Sequence, residues 1–356
     1  MGKQYILNEV AYAHLTPSKR LHIALPHEEN VMFEEKDSDV ILTILNIFKN
    51  PATVDDVSTA LLDTPYEVDD IASLVQRLFE NNVIKEYKDI TALDTTLTPK
   101  QLAKYDRQLR NYAVLPNFTI NDAIKQQERL DAASILILGA GGIGSYLAIG
   151  LAQIGVGTLH LIDFDEIELS NTSRQVLYRE KDVGKSKIEV AVKNLTEVAP
   201  DATVVGHNLE VTSVNSLTEE LKSDQFDLIA VCADKPLGKL VYIVDEFSKL
   251  SGTPVLYGGP YADSKIFLGP LIIPGKTKSY SELVPSSYAD TSNPKVASIN
   301  EYRETAIVDT DNALAAKMME VEIIKYIGKL MDPSVVERQI VLDTWNWSFH
   351  DGQFSK

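Results

Sequence analysis

The chain has 356 residues, of which 44% are hydrophobic and 24% are charged, and its formal net charge is −17. This length exceeds the size at which a single core usually stops growing, so we expect two domains. Because an acidic surface repels a phosphate backbone, nucleic acid is disfavoured as a partner. No stretch approaches the roughly 20 apolar residues that span a membrane, and the N-terminus lacks a secretion signal. We therefore expect no membrane partner and a cytoplasmic location.

Cysteine and histidine usage limits the metal sites that can be expected. A single cysteine, Cys232, excludes an intramolecular disulfide and a cysteine-rich metal site. The six histidines are scattered, and no two have a spacing typical of metal ligands. We therefore expect no zinc.

Residues 1–90 are predicted to form a small winged-helix-like domain, because strand-like runs are followed by three helical patterns and a closing strand. The predicted elements are strands Tyr5–Leu15, Leu21–Leu25, Val31–Glu35 and Val83–Tyr87, and helices Ser38–Phe48, Thr53–Leu62 and Glu67–Asn81. This segment holds 8 Lys plus Arg against 16 Asp plus Glu, a net charge of −8, so DNA binding is the weaker interpretation. An exposed edge strand would instead accept a peptide as an added strand. A packing domain without a ligand stays open.

Residues 91–133 are predicted to be a linker followed by a helix that carries Arg107. From residue 134 to 356, apolar strands alternate with stretches long enough for helices, which is typical of an α/β fold with a doubly wound, mostly parallel Rossmann-type sheet. The predicted strands are Ser134–Leu138, Thr158–Ile162, Ala202–Asn208, Asp227–Cys232 and Pro254–Tyr257. A crossover loop is expected at about 276–311. A helix is predicted over Asn312–Ile327, with its apolar face formed by Leu314, Met318, Val321 and Ile324.

The first of these strands leads directly into a glycine-rich turn and a helix. Glycines at Gly139, Gly141, Gly142 and Gly144 let the backbone approach a phosphate, whose charge is met by N–H groups at the helix start. Asp163 ends the second strand, where a carboxylate can bind ribose hydroxyls. These features fit NAD as well as ATP, so an NAD-dependent oxidoreductase is an alternative.

A dense group of polar residues after the second strand favours ATP. Its members are Asp165, Asn171, Arg174, Gln175 and Lys187. Loss of pyrophosphate from a triphosphate depends on positioning and charge neutralisation, which calls for cations and Mg²⁺ around the phosphates. Asp234, just beyond the strand Asp227–Cys232, is well placed to hold Mg²⁺.

Six motifs in this order resemble the ThiF/MoeB superfamily, the ubiquitin-activating-enzyme-like adenylyltransferases. They are Lys104-Tyr-Asp-Arg107-Gln, the glycine turn 139–144, Asp163-Phe-Asp165, Asn171-Thr-Ser-Arg174-Gln175, Asp182-Val-Gly184-Lys-Ser-Lys187 and Ala233-Asp234. The resemblance implies adenylation with ATP and Mg²⁺.

The resemblance also implies roles for single residues. Asp163 would bind ribose, and Asp234 would hold Mg²⁺. The triphosphate would be bound by Asn171, Arg174 and Lys187, in a pocket shaped by Gln175. Arg107 matches an arginine that a partner subunit inserts towards the phosphates, which implies a homodimer.

Within the superfamily, the N-terminal segment resembles the peptide clamp of enzymes that modify ribosomally made precursor peptides, of the microcin C and pantocin type. The implied function is ATP-dependent activation of a carboxyl or carboxamide group on such a peptide, in antibiotic biosynthesis. Either glutamate side-chain activation with cyclisation or nucleotidylation of the C-terminus could follow. A non-catalytic peptide carrier is a further alternative. Where many members have the first of two zinc-binding cysteine pairs, this chain has Lys278–Glu282, so packing must replace the metal.

Overall fold

A computed structural model of the protein describes residues 3–26, 30–88, 94–115, 118–222, 224–261, 263–285, 293–301 and 307–352. The chain divides into two compact units. The first comprises Met1–Asp94, Thr98–Leu102 and Arg110–Asn121, and the second comprises Thr95–Leu97, Ala103–Leu109 and Asp122–Lys356. Among the described residues, no helix has both the length and the apolar character needed to cross a membrane.

The first unit contains five short strands and three helices around its own core. These are strands β1 (Tyr5–Leu7), β2 (Tyr12–Leu15), β3 (Leu21–Ala24), β4 (Val31–Phe33) and β5 (Ile84–Glu86), and helices α1 (Glu35–Ile47), α2 (Val54–Ala60) and α3 (Val68–Glu80). β1 pairs with β5, while β2, β3 and β4 form an antiparallel sheet in that order. Leu21 and Ile23 alternate with half-buried residues along β3, and they join buried residues of all three helices in one core.

Side-chain hydrogen bonds set the element boundaries in this unit. The predicted strand Tyr5–Leu15 is two strands, because the Asn8 side chain accepts a hydrogen bond from the Val10 N–H at 3.3 Å and starts a turn. Ser38, predicted to begin a helix, is buried inside α1, where its hydroxyl accepts a hydrogen bond from the Leu21 N–H at 3.1 Å. Thr53 caps α2 as predicted, in a reciprocal capping box with Asp56.

The segment 91–133 contains three helices, and residues 91–93 and 116–117 lie outside the described part. The helices are α4 (Pro99–Lys104), α5 (Asp106–Ala113) and α6 (Ile120–Ala132). Arg107 lies in the first turn of α5. Residues of this segment belong to both units.

The second unit is built on an eight-stranded sheet. Its strands are β6 (Ser134–Leu138), β7 (Thr158–Asp163), β8 (Thr203–Asn208), β9 (Leu228–Val231), β10 (Val255–Tyr261), β11 (Lys265–Ile272), β12 (Ile340–Asp343) and β13 (Ser348–Asp351). In the spatial order β8-β7-β6-β9-β10 all neighbours are parallel, and β11, β12 and β13 extend the sheet antiparallel. The predicted α/β class with a mostly parallel, doubly wound sheet is thus confirmed, while the antiparallel extension was not predicted.

Helices cover both faces of this sheet. They are α7 (Gly142–Ile154), α8 (Lys187–Val198), α9 (Val214–Glu220), α10 (Leu240–Ser251), α11 (Tyr280–Leu283), α12 (Pro294–Glu301) and α13 (Asp309–Gly328). Buried residues of α7, α8 and α13 pack on one face, and those of α9 and α10 pack on the other. Because the central strands β6, β7 and β9 are buried on both faces, they read as continuous apolar runs.

The most deeply buried face of α13 is not the predicted one, although Leu314 and Met318 of the predicted face are partly buried against the core. Its buried apolar residues include Ala315, Met319 and Ile323, whereas Val321 is 49% exposed. The reason is close packing on α7, since a Cβ placed on Gly150 of α7 would lie 1.9 Å from a carboxylate oxygen of Glu320. Because the buried face of α13 includes carboxylates, its sequence does not show a simple apolar stripe.

Two short helices, α11 and α12, lie inside the expected crossover loop, of which residues 286–292 and 302–306 are outside the described part. The start of α11 is anchored by the buried Asp245 carboxylate, which accepts hydrogen bonds from the N–H groups of Tyr280 at 2.7 Å and Ser281 at 3.2 Å. The Lys278 N–H donates to a Glu337 carboxylate oxygen at 2.7 Å. Packing and carboxylate hydrogen bonds therefore hold the segment Lys278–Glu282.

Candidate nucleotide-binding site

The carboxyl ends of three neighbouring parallel strands bring the glycine turn and two aspartates to one edge of the sheet. Leu138, the last residue of β6, pairs with Ile162 on β7 and Val231 on β9. Gly139 follows β6, Asp163 ends β7, and Asp234 comes three residues after β9. This edge is where ligands bind in open parallel sheets.

The glycine turn has no room for a Cβ at three of its positions, and the neighbour is the Asn312 side chain, 2.7 Å away, at Gly142 and the backbone at the other two. A Cβ on Gly139, whose φ is +96°, would lie 2.9 Å from the Cys232 carbonyl oxygen. A Cβ on Gly144 would lie 1.8 Å from the Gly139 carbonyl oxygen. Gly141 differs, because the nearest atom to a Cβ there is Nε2 of Gln175 at 3.8 Å. The turn is thus rigid on its inner side and open at Gly141, which suits a phosphate lying over the backbone.

Asp163 shapes the turn and retains capacity for a ligand. One of its carboxylate oxygens accepts a hydrogen bond from the Ala140 N–H at 2.8 Å, and the other accepts one from the Asp165 N–H at 2.9 Å. A carboxylate oxygen has a second lone pair, so both oxygens can still accept a hydrogen bond from a hydroxyl. The arrangement fits a ribose.

Lys187 is a buried cation beside the turn. Its ammonium group donates to an Asp165 carboxylate oxygen at 2.8 Å, and the Lys187 N–H donates to the Asp165 carbonyl at 3.0 Å. The Lys187 side chain is 7% exposed and that of Asp165 is 40% exposed. The Lys187 side chain is therefore buried, while the Asp165 carboxylate that it pairs with is exposed to solvent.

A 3₁₀ turn over Leu169–Ser173 positions three more of the predicted site residues. The side chain of buried Asn171 accepts a hydrogen bond from the Glu168 N–H at 3.1 Å, which holds the turn. Arg174 donates to the Ser170 carbonyl at 2.8 Å, which uses only part of its five donors. Oε1 of buried Gln175 has no hydrogen-bond partner. Such an orphaned acceptor beside Gly141 fits a ligand that supplies a hydrogen-bond donor.

Arg107 and Asp234 are exposed, and neither makes a hydrogen bond or ion pair within the described residues. The predicted site residues thus fall into three groups. One is the glycine turn with Asp163, Asp165 and Lys187, and the second is Asn171 with Arg174 and Gln175, whose N–H groups both donate to the Asn171 carbonyl. Arg107 and Asp234 stand free at the surface, as groups available to a ligand or a second subunit do.

Several residues near the turn were missed by sequence reasoning. A cleft of about 420 Å³ is lined by Arg174 and Gln175 together with Tyr146 and Asp309. The Tyr146 hydroxyl donates to Asp309 at 2.5 Å, and burial together with this carboxylate raises the pKa of Tyr146 to about 12. The two residues are far apart in the sequence, so no local pattern connects them.

Two further features of the second unit have no direct part in this site. A larger cavity, about 890 Å³, is lined by Ala133 and Asp227, which precede β6 and β9 at the opposite edge of the sheet. Burial raises the pKa of the Cys232 thiol, so it stays protonated. A protonated, buried thiol is structural and is a poor nucleophile.

Comparison with known proteins decides the family. The ThiF family model matches residues 105–356, which is most of the chain. The chain belongs to the ThiF family. Adenylyltransferase and sulfurtransferase uba4 of Emericella nidulans is 34% identical over 157 residues, and this match covers 44% of the chain but only 30% of that relative.

Two solved ThiF-type structures share the fold over almost the whole chain. E. coli MccB, crystallised with AMPCPP and MccA, is 25% identical with a TM-score of 0.74, and the match covers 99% of this chain and 97% of MccB. PaaA is 22% identical with a TM-score of 0.70, and the match covers 98% and 99% of the two chains. The likeness to PaaA concerns the fold alone. The resemblance to the ThiF/MoeB superfamily is thereby confirmed.

Proposed function

We propose that this ThiF-family chain activates a carboxyl or carboxamide group on a ribosomally made precursor peptide by ATP-dependent adenylation. The observation that carries the proposal is the contact set around the open glycine turn: a ribose-competent Asp163, the buried cation Lys187 and the unsatisfied acceptor of Gln175. MccB, which matches this chain from end to end, was solved with ATP in one structure and with AMPCPP and MccA in another.

The residues divide the work of the reaction. Asp163 would accept hydrogen bonds from the ribose, while Asn171, Arg174 and Lys187 would bind the phosphates. A peptide carboxylate oxygen would attack the α-phosphorus, and the bond from that phosphorus to the bridging oxygen would break as pyrophosphate leaves. A carboxylate is already an adequate nucleophile, so no general base is needed. Lys187 and Arg174 would stabilise the charge that moves onto pyrophosphate.

Magnesium fits the remaining free carboxylate. Asp234 is exposed and without a partner in the described residues, and an oxygen ligand of this kind suits Mg²⁺. When bound there, Mg²⁺ would neutralise phosphate charge. Arg107 would act in the site of a second subunit, which makes the proposed active form a homodimer.

The first unit would hold the peptide at a sheet edge. β4 pairs only with β3, so its other edge is available to an added strand. Arg77 of α3 lies beside that edge: it donates to the Met32 carbonyl at 3.4 Å and stacks over the Phe33 ring at 4.6 Å. The segment 1–90 carries a net charge of −8, from 8 Lys plus Arg and 16 Asp plus Glu, which favours a basic peptide.

Pyrophosphate release tests the proposal. The enzyme is incubated with Mg²⁺, ATP and small peptides encoded beside it, and the products are analysed by mass spectrometry. Pyrophosphate together with a peptide altered at a carboxyl or carboxamide group is the expected result. A mass increase by a nucleotide would indicate nucleotidylation, and loss of water would indicate cyclisation. Formation of ADP alone with the modified peptide, or hydride transfer with NAD, would refute adenylation.

A further inference from the structure

Two buried histidines meet on the sheet face away from the glycine-turn helix. His160 on β7 and His207 on β8 are each 7% exposed, and Nδ1 of His160 lies 3.1 Å from Nε2 of His207. They are 47 positions apart, and the parallel pairing of β7 with β8 brings them together. The expectation that the histidines are scattered is therefore wrong for this pair.

Two carboxylates complete the cluster. An Asp224 carboxylate oxygen lies 3.8 Å from Nδ1 of His160, and a Glu220 carboxylate oxygen lies 2.9 Å from Nδ1 of His207. When Nδ1 of His207 donates a hydrogen bond to Glu220, Nε2 of that ring keeps its lone pair for a metal. Carboxylates commonly orient metal-bound imidazoles in this way.

We propose that His160, His207 and Asp224 bind one Zn²⁺ ion, with Glu220 orienting His207. The three ligand atoms lie within 4.8 Å of one another. Two nitrogens at the usual zinc distance and a tetrahedral angle are about 3.3 Å apart, close to the 3.1 Å between Nδ1 of His160 and Nε2 of His207. The Asp224 side chain is 33% exposed, so its carboxylate has room to move inward to the metal. Water would occupy the fourth position.

The ligand chemistry favours a borderline divalent ion over Mg²⁺, because two imidazoles and one carboxylate suit zinc, whereas magnesium prefers oxygen ligands alone. Burial lowers the pKa of His160, so the neutral ring that can ligate a metal predominates at neutral pH. The edge of the Phe226 ring packs on His160 at 4.9 Å and shields one side of the site. This site is separate from the cysteine-held zinc of other superfamily members.

The ion would have a structural role. β8 is the last strand at its end of the sheet, and Asp224 follows α9. A metal held from β7, β8 and this segment would join the outer strand and the connection after α9 to the interior of the sheet. We expect bound Zn²⁺ to raise the unfolding temperature, since a ligand that binds only the native state stabilises it.

Zinc titration of the full chain, purified without a histidine tag and stripped with a chelator, tests the site. Calorimetry should give one Zn²⁺ per chain, and Co²⁺ should give the visible absorption of a tetrahedral ion. His207→Gln and Asp224→Ala should each abolish this site or weaken it at least 10-fold. Glu220→Gln should preserve the stoichiometry and weaken binding about 10- to 100-fold.

The chain supplies its own control in a second histidine pair. His14 and His22 of the first unit also lie 3.1 Å apart, but His14 is exposed, His22 is half-buried, and they belong to no three-ligand cluster among the described residues. The double variant His14→Asn, His22→Asn should keep the full affinity. Absence of zinc binding to the wild type, or loss of it in this control, would overturn the proposal and leave His160 and His207 as a hydrogen-bonded pair. Asp224→Ala changes only a part-exposed side chain, so it decides the matter if His207→Gln does not fold.

Discussion

Lys187→Met tests whether a buried cation beside the glycine turn serves the nucleotide or only the fold. In the free protein this lysine pairs with Asp165 at 2.8 Å, and its side chain is 7% exposed. Methionine keeps most of the side-chain volume and removes the charge. If the ammonium group also stabilises the phosphates during the reaction, the variant loses turnover far beyond its loss of stability.

The two losses have different expected sizes. Removal of one preorganised group that stabilises transition-state charge costs about 2.7–4 kcal/mol, or about 10²- to 10³-fold in kcat. Breaking a fully buried ion pair costs about 3–5 kcal/mol of stability. Because the Asp165 side chain is 40% exposed and can be hydrated, we expect about 1–2 kcal/mol here.

A matched control exists in Lys325→Met. Lys325 pairs with Glu322 at 2.7 Å, the side chains are 19% and 3% exposed, and Lys325 lines the cavity at the opposite edge of the sheet. This variant should lose as much stability or more and keep its turnover. Pyrophosphate release and ATP affinity by calorimetry are measured beside thermal unfolding. Turnover of Lys187→Met within threefold of wild type, or a loss no greater than that of Lys325→Met, would refute the role in catalysis.

Four further predictions follow from the same structure. Gly144→Ala should lower the unfolding temperature, because its methyl group would meet the Gly139 carbonyl. Gly141→Ala should keep the fold and weaken ATP binding. Equal unfolding temperatures of the two variants would contradict this account of the turn. Inactive Arg107→Ala and Asp234→Ala variants, mixed and allowed to exchange subunits, should regain about a quarter of the wild-type activity if Arg107 acts across a dimer, and none if it acts within its own chain. Cys232→Ala should retain turnover, and native enzyme should resist thiol alkylation, because burial raises the pKa of this thiol; inactivation by alkylation would contradict a structural role. Burial raises the pKa of Asp245, but hydrogen bonds from Lys249, Ser281 and Tyr280 bring this pKa below its ordinary value. Asp245 therefore stabilises the fold above the unfolded-state pKa, and this contribution is lost as pH falls through the folded-state pKa. Asp245→Asn should flatten the acid side of the plot of stability against pH, and an unchanged plot would exclude Asp245 as an anchor of α11.

The sequence alone was sufficient to predict the parallel strands of the second unit, because several local signals agree there. An apolar run, a glycine turn and a helix occur in immediate succession around Gly139, and each signal depends on neighbours in the chain. Asp163 was found from its place at the end of a strand, and Lys187 from the dense polar group that follows this strand. Their mutual contacts, such as the ion pair of Lys187 with Asp165, needed the structure.

What the sequence did not predict depends on distant contacts. β11 pairs with β12 only because a long segment and α13 return the chain to the sheet, and no periodicity in Lys265–Ile272 indicates the antiparallel partner. The buried face of α13 was wrong because buried carboxylates of the helix, such as Glu320, are paired with lysines and pack beside α7. The contact between His160 and His207 could not be predicted from the sequence, because it depends on the pairing register of β7 with β8.

The position of Arg77 on the outer edge of β4 has a consequence for the protein when no peptide is present. An unprotected strand edge invites pairing with the same edge of another molecule. The arginine donates to one carbonyl of this edge at 3.4 Å and lies over the Phe33 ring, so a neighbouring copy would find the edge partly blocked by a charge. If the proposed peptide binds at this edge, it would have to displace only this one flexible side chain, so Arg77 would hinder pairing between empty molecules without closing the edge to the peptide.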